Sequence, residues 1–425
     1  MKRFEAYGWH CLHVEKGDED LEAMEKAIAE ARAVTDKPTV IKLTTTIGYG
    51  SKLQGTGGVH GNPLKADDAK NVKAKFGFNP EESFAVPQEV YDLYGKSGAA
   101  GAAAEEEWNK LFAAYKKEFP AEGAELERRL SRLLPEGWQR SLPVYKSSDP
   151  AIASRKLSET VLGNLYEVLP ELMGGSADLT GSNLTRAKIA QDFQPENTGL
   201  GTYAGRYIRY GVREHAMGAI MNGLAAYGGI VPFGGTFLNF VSYAAGAVRL
   251  SALSQVPVIW VATHDSIGLG EDGPTHQPIE TLAHFRATPN CMVWRPADGN
   301  EVSACYYVAL TSKLTPSIIA LSRQNLPQLE GSTLENGIKG GYVLQEKPGA
   351  DITLVSTGSE VGIAVDAAKE LREKHNITAR VVSMPCCEVF DSQSKGYRLS
   401  VLPDNMPILS VEALSTLGWE RYAHE

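Results

Sequence analysis

The chain has 425 residues, with 42 basic against 51 acidic side chains and a formal net charge of −9. That balance excludes a broad nucleic-acid-binding face, and the length suits about two to four domains, each able to bury a core. Five cysteines without zinc or redox spacing, no apolar leader in Met1-Lys-Arg-Phe-Glu-Ala and no segment long enough to cross a bilayer point to a soluble cytoplasmic protein with no membrane partner.

The chain opens on an amphipathic helix pattern, with Leu21, Met24, Ile28 and Ala31 on one face after Gly17-Asp18, followed by a strand at 38–45. This reads as the tail of an α/β unit whose preceding strands are missing. A Gly-rich passage, 48–61, carries His60, and the low-complexity patch Ser97 to Ala104 reads as a linker. A helical pair follows, with Trp108, Leu111, Phe112 and Tyr115, then Leu126, Leu130 and Leu133.

From about residue 150 the pattern alternates. Helices fit 153–168, 212–227, 238–254, 278–288 and 299–311, and strands fit 256–263, 291–295 and 317–322. Such alternation implies an α/β fold with a parallel sheet covered by helices on both faces. Pro327 and the polar run 330–337 mark a boundary. A second unit then begins, with strands at 352–356, 379–383 and 407–411 and a helix from about Ser359 to His375. Its sheet is expected to be incomplete. Adjacent Cys386 and Cys387 fit small packing residues at a strand end.

The densest chemistry lies in the loop from His264 to Pro278, which follows the apolar run Val256 to Thr263. In open α/β sheets, ligands sit beyond the carboxyl ends of the strands. Gly268, Gly270 and Gly273 match a dinucleotide spacing, but Pro274 and Pro278 delay any helix, so that reading is set aside. The separation of His264 from His276, with prolines between, is no standard zinc spacing. The two histidines with Asp272 therefore read as a polar pocket. Elsewhere, Glu214 opens an almost wholly apolar helix; an acid there offsets the helix dipole, and burial would suit its carboxyl to proton transfer. Phe237, Phe240 and Tyr243 form an aromatic stripe of a kind that is more often core than a cofactor site. Arg155 and Arg323 stand at a helix start and a strand end, where arginine can clamp phosphate.

Taken together, the stretches 44–51, Val59-His60-Gly61, 154–158, Gly174 to Thr180, Gly211 to His215, Gly235 to Phe240, 264–278 and Leu321 to Pro327 resemble the transketolase family. That family moves two-carbon ketol units between sugar phosphates with thiamine diphosphate. The resemblance implies a parallel-sheet thiamine-diphosphate-binding fold of the pyrimidine type, followed by a truncated α/β C-terminal domain. It implies three parts: 1–118 as the tail of a diphosphate-binding domain plus linker, 119–333 as the pyrimidine-binding domain, and 334–425 as the C-terminal domain. Glu214 then resembles the acid that bonds the cofactor's aminopyrimidine and favours the imino tautomer, which generates the carbanion nucleophile. Phe237, Phe240 and Tyr243 resemble the pyrimidine pocket, with Asp178 nearby, and His60 resembles a histidine near the diphosphate and the reacting carbons. Arg155, Ser182, His264 and Arg323 match the group that binds the sugar phosphate, and Asp272 with His276 the group that reads sugar hydroxyls. The catalytic set implied is thus Glu214, His60, His264 and His276.

The family holds Mg2+ or Ca2+ through a Gly-Asp-Gly segment and a downstream asparagine. The nearest strings here, Gly17-Asp-Glu-Asp and Glu271-Asp-Gly, do not fit. The expectation is therefore a homodimer-type site at a subunit interface, with the metal ligands outside this sequence and the chain inactive alone. Dihydroxyacetone synthase and a non-catalytic transketolase-like fragment remain as alternatives at this point.

Overall fold

The computed structural model describes residues 1–423. By its internal contacts the chain forms two compact units, Met1–Leu111 and Phe112–Glu425. In the first unit, strands β1 (His10–Val14) and β2 (Thr39–Leu43) run parallel, with helix α1 (Leu21–Ala33) between them in the chain. The expected opening unit thus has one preceding strand, β1, that the sequence reading left out. Helix α1 starts where the Asp20 side chain accepts from the Ala23 amide at 2.9 Å, which satisfies one of the free donors of its first turn. Helix α2 (Ala66–Lys75) follows, and then the long helix α3 (Gln88–Glu118). The alanine-glycine patch 97–104 lies inside α3 and is no linker. Alanine has the strongest helix propensity, and its run outweighs the two glycines of the patch.

The second unit holds an eight-stranded, all-parallel sheet. After helix α4 (Pro120–Leu130), its main elements are α5 (Ser154–Val168), β3 (Leu172–Ser176), β4 (Tyr207–Arg209), α6 (Glu214–Tyr227), β5 (Val231–Phe237), α7 (Ala245–Leu253), β6 (Ile259–Thr263), α8 (Thr281–Arg286), β7 (Met292–Trp294), α9 (Gly299–Thr311) and β8 (Ser317–Leu321). The strand order is β7-β8-β6-β5-β3-β4, continued by two two-residue strands. Strand β6 shows why helices cover both faces. Ile259 and Val261 pack with Leu157, Leu162, Val302 and Tyr306 of α5 and α9, whereas Trp260 and Ala262 pack with Met217, Met221 and Val248 of α6 and α7. A strand buried on both sides carries apolar residues continuously, with the period of two deciding the face.

Strand β5 is the main departure from the sequence reading. Gly234-Gly235 reads as a flexible entry to a helix, but both lie within this central strand. A Cβ on Gly234 would meet the Met221 sulfur at 2.7 Å, and one on Gly235 would meet the Thr185 methyl at 2.7 Å and Asn183 Oδ1 at 3.2 Å. These glycines make room for side chains packed on the sheet. The helix expected at 238–254 is helical from 238 to 253, with a 3-10 segment at Ser242–Ala244 before α7, and the one expected at 278–288 is limited to α8. Helix α6 is also not buried all round: Met217 and Met221 are buried, but Ile220 and Tyr227 are exposed.

A smaller mixed sheet follows, from β9 (Tyr342–Gln345), β10 (Ile352–Ser356), β11 (Ala379–Ser383) and β12 (Ile408–Val411), with α10 (Glu360–His375) between β10 and β11 in sequence. Its order is β9-β11-β10-β12, and only β9 runs antiparallel to its neighbour. All five cysteines are unpaired, and Cys386 and Cys387 are buried in packing roles as expected. Among the described residues, no helix is long and apolar enough to cross a membrane.

Candidate active site

The large sheet reverses direction between β3 and β5: the chain leaves β3 toward β4 and leaves β5 toward β6, on the opposite side. Connections that diverge in this way open a crevice at the carboxyl ends of the strands. Five segments reach it. They follow β3 (Asp178, Ser182), β5 (Phe237, Phe240, Tyr243), β6 (His264 to His276) and β8 (Arg323), together with the start of α5 (Arg155). Backbone strain marks two of these turns. Asp178, Leu184 and His264 have φ of 62°, 56° and 61°, a region that costs a non-glycine residue roughly 1–2 kcal/mol.

The aromatic stripe is a pile of rings that runs from buried core to open surface. Phe237 is buried at the end of β5 and stacks on Phe240 with centroids 5.7 Å apart; Phe240 stacks on Tyr243 at 5.8 Å. Tyr243 is exposed, so the pile ends in an open aromatic surface. Phe237 also stacks on the His264 ring at 3.8 Å. His276 meets Phe240 edge-on at 5.0 Å, which brings the two loop histidines to the same aromatic wall.

His264 is only 2% exposed. Its Nδ1 lies 2.9 Å from the Thr263 hydroxyl, and its Nε2 lies 3.9 Å from an Asp272 carboxylate oxygen. Burial, and then the nearby Arg155 charge, push its pKa down to about 4, against the opposing pull of Asp272. The ring is therefore neutral near pH 7. Arg155 is half-buried; its Nη1 donates to the Ser182 carbonyl at 2.9 Å. Its own pKa is lowered, first by burial and then by the charge of Arg323, with Asp272 offsetting. Two guanidiniums that repel one another beside a neutral histidine form a field that favours an anion.

The cations are held in place by reciprocal bonds. The Ser322 amide donates to Ser154 Oγ at 2.7 Å, and the Ser154 amide donates to Ser322 Oγ at 3.0 Å, which fastens the start of α5 to the end of β8. Arg323 pairs with the exposed Glu271 at 2.5 Å. The residue after His264, Asp265, is buried and accepts from Arg295 Nε at 2.9 Å. Arg295 also bonds Glu360, the Thr357 carbonyl at 3.0 Å and Ser359 Oγ at 3.1 Å, tying this loop to the smaller sheet.

Sequence reading therefore placed Arg155, Ser182, His264, Asp272, His276, Arg323, Phe237, Phe240 and Tyr243 around one crevice, and the structure brings them there. Glu214 is the first residue of α6, half-buried after Arg213. Asp178 is exposed just past β3. His60 belongs to the first unit, exposed at the end of a 3-10 turn, Gly57–Val59. Sequence reading missed Asn183, Thr263, Asp265 and Arg295. The Thr-His dipeptide, present at both 263–264 and 275–276, was the one available signal. Among the described residues, no group of three or more His, Cys, Asp or Glu is placed to hold a metal ion.

Comparisons with known proteins agree along the whole chain. Residues 1–135 match the thiamine diphosphate binding domain of transketolase, 150–328 its pyrimidine binding domain, and 340–425 a transketolase-like C-terminal domain. Transketolase of Kluyveromyces lactis is 67% identical over 426 residues, and transketolase 1 of Saccharomyces cerevisiae is also 67% identical; each match covers 100% of this chain and 62% of the relative. The chain thus spans less than two thirds of the length of these relatives. The crystal structure of a Pichia stipitis transketolase in complex with sedoheptulose 7-phosphate superposes with a TM-score of 0.95 at 64% identity, covering 100% of this chain and 63% of that one. A transketolase from Leishmania mexicana superposes at 0.93, with 49% identity and coverage of 100% and 62%. On the matches to all three domains and these relatives, the chain belongs to the transketolase family.

Proposed function

We propose that this chain supplies the pyrimidine-side and sugar-phosphate-side walls of a transketolase site, which moves a two-carbon ketol unit from a ketose phosphate to an aldose phosphate. The observation that carries this reading is the crevice itself, where Arg155 and Arg323 meet the buried neutral His264 beside an open pile of aromatic rings. The arginines neutralise the phosphate dianion through bidentate donors. His264 joins them on the phosphate with a hydrogen bond, while Asp272 and His276 hydrogen-bond the sugar hydroxyls, and a substrate lacking one of those hydroxyls leaves their polar groups unpaired.

The residues fit thiamine diphosphate on two counts: the exposed Tyr243 and half-buried Phe240 offer flat faces to a heteroaromatic ring, and Glu214 places a carboxylate at the half-buried start of α6. When bound, the cofactor supplies the nucleophilic carbon that takes up the ketol unit. Glu214 holds a ring proton in place, and the aromatic pile orients the ring and excludes water from it. Asp178 completes the cofactor-binding set of the second unit, and His60, on the first unit, is proposed to contact a cofactor's diphosphate and reacting carbons. Mg2+ or Ca2+ would be held by residues outside this sequence. The second subunit is a further copy of the same protein. Exposed apolar residues along α6 and α7, among them Ile220, Leu250 and Leu253, suit such a contact.

Ketol transfer from xylulose 5-phosphate to ribose 5-phosphate tests this reading. In a protein that carries the family's Gly-Asp-Gly segment together with these residues, Glu214→Gln should abolish turnover and leave circular dichroism unchanged. Turnover near the wild-type rate would sink the role given to Glu214. Turnover by the purified 425 residues alone would overturn the expectation that the metal-holding segment must come from elsewhere.

A further inference from the structure

One buried chain of hydrogen bonds behind the crevice is not explained by substrate contact. It begins at the Leu179 amide, which donates to Ser176 Oγ at 3.1 Å. Ser176 Oγ lies 2.7 Å from Asn183 Oδ1, Asn183 Nδ2 lies 2.7 Å from Thr263 Oγ1, and Thr263 Oγ1 lies 2.9 Å from His264 Nδ1. Ser176, Asn183 and Thr263 are essentially without solvent exposure. Two features show that the arrangement is built in. The turn bearing Asn183 is bracketed by Asp178 and Leu184 at positive φ, and Gly235 leaves the space that Asn183 fills.

The direction of the bonds follows from the first donor. A backbone N–H can only donate, so Ser176 Oγ accepts there and gives its own proton to Asn183 Oδ1. That fixes the amide: its NH2 faces Thr263, which accepts, and the single Thr263 hydroxyl proton then has His264 Nδ1 as its one neighbouring acceptor among the described residues. The opposite amide orientation would leave the buried Ser176 hydroxyl proton without any of the acceptors recorded around it, at the full desolvation cost of a lost bond. With Nδ1 accepting, the ring proton must sit on Nε2, the nitrogen that faces Asp272 and the crevice.

We propose that Ser176, Asn183 and Thr263 form a one-way hydrogen-bond relay that holds His264 as a neutral Nε2–H donor aimed into the crevice. They are positioning residues, since none of them reaches the crevice through its own donor. The relay assigns a division of labour at the site: Arg155 and Arg323 carry the charge that meets a phosphate, and His264 offers one directed hydrogen bond to a substrate oxygen. This use of the bond rests on the transketolase reading; the tautomer does not.

The test is the tautomer of His264, read by two-bond nitrogen-proton correlation on the chain labelled with 15N-histidine, with the His264 signals assigned by their loss in His264→Gln. In the wild type the proton should be on Nε2. Asn183→Asp replaces the NH2 donor with an acceptor at about pH 8; Thr263 then donates backward, and His264 should switch to the Nδ1–H form. Thr263→Val should leave a mixture of forms, and Thr263→Ser should restore Nε2–H. These two variants serve if Asn183→Asp does not fold. A wild-type proton on Nδ1, or a tautomer unmoved by both Asn183→Asp and Thr263→Val, would overturn the relay. Because no turnover is read, failure of the enzymatic reading leaves this outcome untouched, and a switched tautomer says nothing in its favour.

Discussion

His264 and His276 look alike locally and are built differently. Each follows a threonine whose hydroxyl lies within hydrogen-bond distance of its Nδ1, 2.9 Å at Thr263 and 2.8 Å at Thr275, and both rings touch the Phe237–Phe240 wall. Behind Thr263 stands the buried Asn183 side chain; behind Thr275, Asn239 donates only to the backbone carbonyl, at 2.8 Å, and Thr275 is exposed. One histidine is fixed in orientation and protonation by the fold. The other is held by its own loop, beside the exposed Thr275 and against Phe240. Their difference teaches that identical dipeptides acquire different chemistry from what lies behind them, because only a buried partner makes a bond that solvent cannot replace.

The strongest way to break the comparison is to remove the anchor beside His264. Arg295 is fully buried between Asp265 and Glu360. Arg295→Leu leaves both carboxylates buried without a countercharge, which should lower stability by about 3–5 kcal/mol in urea unfolding. The tautomer signal of His264 should broaden, with that of His276 retained. A loss below about 1 kcal/mol would show that the anchor is not what holds this turn.

Acid should test the buried histidine next. The His264 pKa stands at about 4 against an ordinary 6.5, with burial first, Arg155, Arg323 and His276 pressing it down, and Asp272 pulling it up. A base with a depressed native pKa contributes stability that is fully present above the unfolded value. Between about pH 6.5 and pH 4 the unfolded chain takes up the proton first, so that contribution, at most about 3 kcal/mol, is lost as pH falls through this window. Histidine NMR should show His264 unchanged from pH 8 to about 5 and titrating only below that. A midpoint near 6.5 would refute the neutral ring at the crevice.

How much of this was legible in the sequence depended on range. The helices 153–168 and 299–311 and the strands at 352–356 and 379–383 were readable because hydrophobic periodicity is local. The residues along the strand ends were readable because polar groups after an apolar run mark the sheet's carboxyl edge. Strand β5 reads as a helix entry because Gly234 and Gly235 look like breakers, and their purpose lies in Met221 on one face of the strand and Asn183 and Thr185 on the other. The relay was invisible for the same reason: Asn183 and Thr263 are 80 positions apart, and nothing near either residue announces the other. The Arg295–Glu360 pair spans 65 positions between two sheets. The aromatic stripe was ambiguous until its exposure was known, since stacked rings look the same in sequence whether they end in core or in an open face.

The smallest predicted effect is the most discriminating one. Thr275→Val removes a hydroxyl that contacts its histidine at a distance equal, within a tenth of an ångström, to that of Thr263. Distance alone would therefore predict equal costs. Exposure predicts otherwise: at Thr275 water can take over the bond to His276 Nδ1, so the change should cost no more than about 0.5 kcal/mol, a surface-level effect. Loss of the Thr263 hydroxyl should cost on the order of 1–3 kcal/mol, because the Asn183 NH2 is left buried without its acceptor. Parallel urea unfolding of Thr275→Val and Thr263→Val decides the matter. Equal losses would mean that the burial behind Thr263 adds nothing to the bond, and the distinction between a built and a borrowed histidine would fall with it.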